Sequence, residues 1–245
     1  MFVVAILALC SPPRAGAETT TVRIITEEFP PYNYTEAGQI TGFSTAVVRA
    51  VLAEIGVRGE FQSMPWARGY ETAQNSEGVM IYSIGRNPQR ESLFKWVGVI
   101  APVQYHLYSL RERGLKLNHL NDARHYQIAT VNEDIGEQYL LSKGFLKGKN
   151  LQSSTRYEIN YEKLKLGRVD LWIMSELVAA YLSRQAGDDP ARVLAPSYTI
   201  NDLGDSGYYM AFGNKTSEPL VERFRRGLQA IKRNGTYEAL KKQWF

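Results

Sequence analysis

The chain has 245 residues, with 29 Lys+Arg against 25 Asp+Glu, and its 22% charged and 11% aromatic content excludes a disordered chain or a low-complexity fibre. This length suits one large domain or two small ones with a substantial core. The net charge of +4 is dispersed with no long basic run, so it makes no case for nucleic acid.

Residues 1–9 are apolar and lead through Cys10 and Pro12-Pro13 to Ala15-Gly16-Ala17, small residues of the kind a signal peptidase reads. Residues 1–17 are therefore expected to be a cleaved signal peptide, and cleavage removes the only cysteine. Lipid attachment at Cys10 is the alternative, disfavoured by the large Leu9 before it. No other apolar run approaches the roughly 18–20 residues of a membrane span. The expected product is periplasmic, folded without disulfides or thiolate-bound metal.

In chain order, residues 22–26 read as a β-branched strand running into Glu27-Glu28-Phe29-Pro30-Pro31-Tyr32, where paired prolines end regular pairing. Ser44 is the expected N-cap of a helix that carries Val47, Val48, Val51, Leu52 and Ile55 on one face and stops at Gly56. A strand over 59–63, a Met64-Pro65-Trp66 turn with a short helix, and a strand over 79–82 follow. This alternation indicates an α/β sheet with parallel connections. After an extended run over 103–110 the pattern restarts: strand 127–131, helix 134–142, helix 161–166, strand 169–173 and helix 175–186. A last extended run, 207–212, precedes a helix whose apolar positions are Leu220, Phe224, Leu228 and Ile231. That helix is expected to return the chain to the first of two α/β units.

Four segments carry a resemblance. They are Gly42-Phe43 before the first helix, Asn87-Pro88-Gln89-Arg90-Glu91 followed by Phe94 and Trp96, the Gly167-Arg168-Val169-Asp170 turn into a strand, and the final stretch 228–245. Their order and spacing resemble the periplasmic solute-binding proteins of the polar amino-acid type, the extracellular family 3 receptors of ABC importers. The resemblance implies an α/β, two-lobed type II periplasmic binding protein fold, with ligand in a cleft between lobes joined by a two-stranded hinge. Lobe one would span 18–102 and 208–245, lobe two 105–203, with crossings near 103–104 and 204–207. The implied function is capture of a small polar carboxylate-bearing solute, an amino acid or a relative, for an ABC permease of the inner membrane. The protein would act as a monomer, without cofactor or metal and without contact to nucleic acid.

The resemblance also assigns site residues. Phe29 and Trp66 would stack on the solute, and Tyr32 would form a wall or simply pack. Arg90 matches the arginine that grips a ligand carboxylate through two parallel N–H bonds. Ser83 and Gly85 lie where the amino group is received, although Gly85 stands at a position where the family uses threonine. Arg68 and Arg86 add two cations near the same rim, meaning either a more anionic ligand or solvated surface. In lobe two, Asn132 is the expected contact at the strand-to-helix turn, and Asp134 the expected N-cap. Ser175 replaces the family's ammonium-binding aspartate, and Glu176 beside it is the expected substitute.

Other chemistries find no support in the residues. His106, His119 and His125 lack metal-ligand spacing, and there is no phosphate-cradling glycine loop or nucleophile elbow. Two alternatives to transport stay open: a dehydratase-like enzyme on this fold with Glu176 as general acid, and a ligand sensor docking on a membrane receptor.

Overall fold

A computed structural model describes residues 21–203 and 207–245. The expected signal peptide with Cys10, and residues 204–206 of the second crossing, lie outside the described residues. Strand β1 (Thr21–Thr26) leads into a hairpin, β2 (Tyr34–Glu36) and β3 (Gln39–Thr41), which sequence reasoning did not anticipate. Helix α1 (Phe43–Ile55) follows, then β4 (Arg58–Ser63), α2 (Trp66–Asn75), β5 (Val79–Gly85) and β6 (Phe94–Pro102).

The start of α1 corrects the expected Ser44 cap. Gly42 holds the N-cap position at φ 108, and the Phe43 and Ser44 N–H groups donate to the carbonyls of Pro31 (3.0 Å) and Tyr32 (2.8 Å). The loop carrying the paired prolines therefore satisfies donors that a side chain would otherwise cap. A Cβ at residue 42 would lie 2.5 Å from the Tyr32 carbonyl oxygen, so only glycine permits this approach.

Beyond Pro102 come β7 (Tyr105–Leu110), β8 (Ile128–Val131), α3 (Ile135–Ser142), β9 (Leu151–Ser154) and α4 (Tyr157–Lys165). Then follow β10 (Leu171–Ser175), α5 (Glu176–Gln185), α6 (Pro190–Val193) and β11 (Leu194–Ile200). Helix α4 begins a turn before the expected 161, because Tyr157, Asn160, Tyr161 and Leu164 make one buried face in which Asn160 is polar. Strand β9 is short and mostly polar, and β11 holds Pro196 beside a register shift. Each flanks its sheet as an edge, where a proline or a polar run is tolerated.

The chain closes with β12 (Gly207–Gly213), α7 (Glu218–Arg233) and α8 (Thr236–Trp244). The first sheet has the order β4-β1-β5-β12-β6 and the second β11-β7-β10-β8-β9. Strands β1, β4 and β5 pair in parallel, as do β8, β9 and β10. Strands β12 and β7 run antiparallel to their neighbours, so each sheet is mixed rather than wholly parallel. Because β12 joins the first sheet from beyond the second, the chain passes between the sheets twice.

Helix α7 returns to the first unit as expected, through Val221, Phe224, Leu228 and Ile231, with Leu220 only half-buried. Phe224 meets Phe212 of β12 edge-on at 5.1 Å. A Cβ at Gly227 would fall 2.5 Å from Ile55 of α1, which shows how closely the two helices pack. Among the described residues, no helix is long and apolar enough to cross a membrane.

Candidate functional site

The carboxyl ends of the parallel strands face one another across the gap between the sheets, where open α/β sheets bind ligands. Glu27 and Phe29 follow β1, Ser83 and Gly85 end β5, Arg90 lies in the next turn, and Trp66 opens α2. From the other side come Asp134, Ile135 and Tyr157 at the starts of α3 and α4, with Tyr105 and Tyr208 beside the crossings. Together they line an inner void of about 10 Å³. That is room for one water. An outer cavity of about 260 Å³ adjoins it between Met64-Pro65 and residues 155–158, sharing Glu27, Trp66 and Tyr157.

Arg90 is fully buried and lies over the rings of Trp66 (5.1 Å) and Tyr70 (5.0 Å). Its Nε donates to Gln138 Oε1 (2.9 Å), Nη1 to the Gly85 carbonyl (3.0 Å) and Nη2 to the Glu133 carbonyl (2.7 Å). A guanidinium has five N–H donors, so one on each terminal nitrogen is left for a ligand. Glu133 adopts φ 60, and its carbonyl also accepts from Trp66 Nε1 at 2.7 Å. Two side chains of the first lobe thus converge on one carbonyl of the second, and the cleft is closed.

Two acidic side chains share this interior. Tyr157 Oη lies 2.5 Å from Asp134 Oδ2 and 3.2 Å from Glu27 Oε1, and Asp134 caps α3 by accepting from the Gly136 N–H at 2.6 Å. Burial pushes the Glu27 carboxyl well above the usual range, and the nearby Asp134 adds to the effect. Burial also raises Asp134, against the opposing bonds from Tyr157 and Gly136. Ser83, at φ 56, presents a buried Oγ with no hydrogen-bond partner.

Of the residues singled out in the sequence, Phe29, Trp66, Ser83, Gly85 and Arg90 line the inner void. The others do not. Tyr32 packs behind Phe29 with ring centroids 5.7 Å apart and donates to the Pro102 carbonyl, which favours the packing reading over the wall. Arg68 is exposed on α2, and Arg86 pairs with Glu91 at 2.6 Å while lying over Trp96. The three arginines therefore do not converge: the half-turns of α2 and the 86–91 turn direct two of them outward. Asn132 accepts from Lys147, Glu176 is exposed, and Ser175 is buried at the end of β10 without reaching the void.

Sequence reasoning missed Glu27, Tyr105, Ile135, Tyr157 and Tyr208, and read Asp134 only as a cap. A charged residue directly after a buried strand was the available signal for Glu27. The tyrosines gave none, since 15 are scattered along the chain. At Gly85 the reason for glycine is visible: a Cβ there would sit 2.3 Å from Ile135 Cδ1. The space of the absent threonine is filled from the opposite lobe. Among the described residues, no group of three or more His, Cys, Asp or Glu side chains is placed to hold a metal ion.

The family model for the bacterial extracellular solute-binding proteins, family 3, matches residues 22–245. The chain belongs to this family. Family 3 proteins are solute-binding proteins, so this member serves binding and not catalysis. It is 24% identical over 248 residues to the arginine-binding extracellular protein ArtP of Bacillus subtilis, covering 98% of this chain and 92% of that protein. A probable amino-acid ABC transporter-binding protein of Haemophilus influenzae is 23% identical, with 93% and 86% covered. Among solved structures, a histidine kinase sensor domain similar to periplasmic binding proteins superposes with a TM-score of 0.81 at 20% identity, covering 93% of this chain and 96% of that one. An ancestral arginine-binding protein bound to arginine gives 0.79 at 19%, with 92% and 98% covered. This family 3 protein thus has the two-lobed type II periplasmic binding fold.

Proposed function

We propose that this family 3 protein captures a small polar solute bearing a carboxylate, an amino acid or a relative of one, and delivers it to an ABC permease. The observation that carries this reading is Arg90, buried at the cleft with an N–H on each terminal nitrogen still unused. Two such donors match a carboxylate bidentately. Phe29 and Trp66 flank the same void, and Ser83 Oγ offers a further hydrogen bond. The relatives described as arginine- or amino-acid-binding support the solute class. We further take the lobes as 18–102 with 208–245 and as 105–203, the signal peptide as cleaved after Ala17, the mature protein as periplasmic, and the working form as a monomer.

A ligand that binds only the folded state raises thermal stability by RT ln(1 + [L]/Kd), about 2.7 kcal/mol at a hundredfold excess over Kd. A thermal-shift screen of amino acids, opines, dicarboxylates and polyamines is expected to yield a carboxylate-bearing hit. That hit should bind Arg90→Ala at least about tenfold more weakly, the loss expected for a charged hydrogen-bonded contact. Equal affinity in the variant would remove Arg90 from the carboxylate site.

A further inference from the structure

Three donors of lobe one, Trp66, Asn87 and Arg90, meet a single stretch of lobe two, Glu133 to Gln138. The Glu133 carbonyl accepts from Trp66 Nε1 and Arg90 Nη2, each at 2.7 Å, and Gln138 Oε1 accepts from Arg90 Nε at 2.9 Å and Asn87 Nδ2 at 3.1 Å. An oxygen of this kind has two lone pairs, so both acceptors are filled. The Gln138 amide fits only this way round. Its Nε2 donates to Glu133 Oε2 at 3.3 Å, and the reversed amide would set an NH2 group against the guanidinium and the Asn87 donor. Asn87 completes the frame, since its Oδ1 accepts from the Arg90 N–H at 2.9 Å.

A guanidinium offers a carboxylate two kinds of edge for a pair of bonds, one made by Nε with a terminal nitrogen and one made by the two terminal nitrogens. Gln138 holds the Nε–H and so closes the first. Gly85 and Glu133 take one hydrogen each from Nη1 and Nη2, so a two-bond contact with a carboxylate must use the two terminal nitrogens. When the lobes part, only the Gly85 carbonyl stays on the guanidinium, because Gln138 and Glu133 belong to lobe two. Both edges are then open. Closure therefore sorts two poses: a carboxylate on the Nε edge occupies the place that Gln138 must take, and one on the terminal edge does not.

We propose that Gln138, on α3 of lobe two, is a positioning residue for solute capture: it takes the Nε edge of Arg90 as the cleft shuts, selects the carboxylate pose on the two terminal nitrogens, and delays release until the lobes part. The proposal rests on Arg90 being the carboxylate site and adds the residue that ties its grip to closure. Gln138 acts through Arg90, since it lines neither the inner void nor the outer cavity. A neutral amide suits this role, because it accepts from the guanidinium without cancelling the charge that attracts the solute. The helix start that carries it is fixed by Glu137, which accepts from Thr130 Oγ1 at 2.7 Å and from the Glu133 N–H at 3.0 Å.

The test is stopped-flow tryptophan fluorescence with L-arginine, L-glutamine and glutarate on the parent, Gln138→Met and Gln138→Glu. Methionine keeps the length and helix preference without the acceptor, and glutamate keeps the acceptor; melting without ligand checks that each variant is folded. For the probe that binds the parent most tightly, dissociation from Gln138→Met is expected to be about tenfold to a hundredfold faster, with association changed by less than about twofold. In Gln138→Glu it should return to within about threefold of the parent. A crystal structure of the parent with that probe is expected to show the carboxylate on Nη1 and Nη2 and Gln138 on Nε. Unchanged dissociation in Gln138→Met, an equal loss in Gln138→Glu, a loss confined to association, or a carboxylate on the Nε edge overturns the proposal while leaving the carboxylate reading of Arg90 intact. No response of the parent to any of the three probes, or equal affinity in Arg90→Ala, would undo that reading and this proposal with it.

Discussion

Glu27 illustrates how a single residue can be set against the stability of the empty fold. Burial raises its pKa, so the folded state keeps a proton that the unfolded chain releases above the usual carboxylate range. The contribution to stability is full at low pH and is lost as pH rises toward the raised value, at about 1.4 kcal/mol per pH unit within that window. Glu27→Gln removes this dependence. In urea melts the variant is expected to match the parent near pH 4.5 and to exceed it increasingly toward pH 8; a constant difference across that range would show that Glu27 does not titrate with folding. Arg90 could be singled out in the sequence because its motif is local, Asn87 to Glu91. Tyr157 could not, because its partners are 23 and 130 residues away.

At the scale of elements, α3 shows how a short helix is anchored to bring its first turn to the cleft. Glu137, fully buried, accepts from Thr130 Oγ1 on β8 (2.7 Å), from Ser153 Oγ on β9 and from the Glu133 N–H (3.0 Å), and pairs with Lys147 at 2.7 Å. One carboxylate thereby fixes the turn that exposes the Glu133 carbonyl. Replacing it by Ala leaves several donors unsatisfied and is expected to cost about 1–3 kcal/mol in urea unfolding. Lys147→Ala removes only a partner that is 42% exposed, and should cost less than about 1 kcal/mol. Equal effects would mean that the ion pair, and not the buried network, anchors the turn. The helix itself was legible from Asp134 and the apolar positions after it. β6, β9 and β11 were not, because edge strands with mixed burial lack a clean period of two.

For the whole molecule, closure depends on two surfaces from opposite lobes being complementary. Gly85 and Ile135 meet where a Cβ at residue 85 would crowd the Ile135 side chain, 2.3 Å from its Cδ1, and Trp66 and Arg90 converge on the Glu133 carbonyl. Gly85→Val suits the strand that carries it but blocks this approach. The variant is expected to keep its circular dichroism spectrum, to show a larger radius of gyration in small-angle scattering, and to bind the solute at least about tenfold more weakly, since contacts available only in the closed form are lost. An unchanged radius and affinity would show that closure tolerates the added side chain.

Periodicity and local motifs were enough to determine the alternation of strands and helices, the two units, the helix that returns to the first, and Arg90 with its flanking motif, because each depends on residues within a few positions of one another. Tertiary structure alone decided the direction of β12 and β7, the dispersal of Arg68 and Arg86 away from Arg90, and the meeting of Glu27, Tyr157 and Asp134. The physical reason is that charge and hydrogen-bond balance in a cleft is summed over side chains from opposite lobes, and a chain read in order contains the groups without their distances.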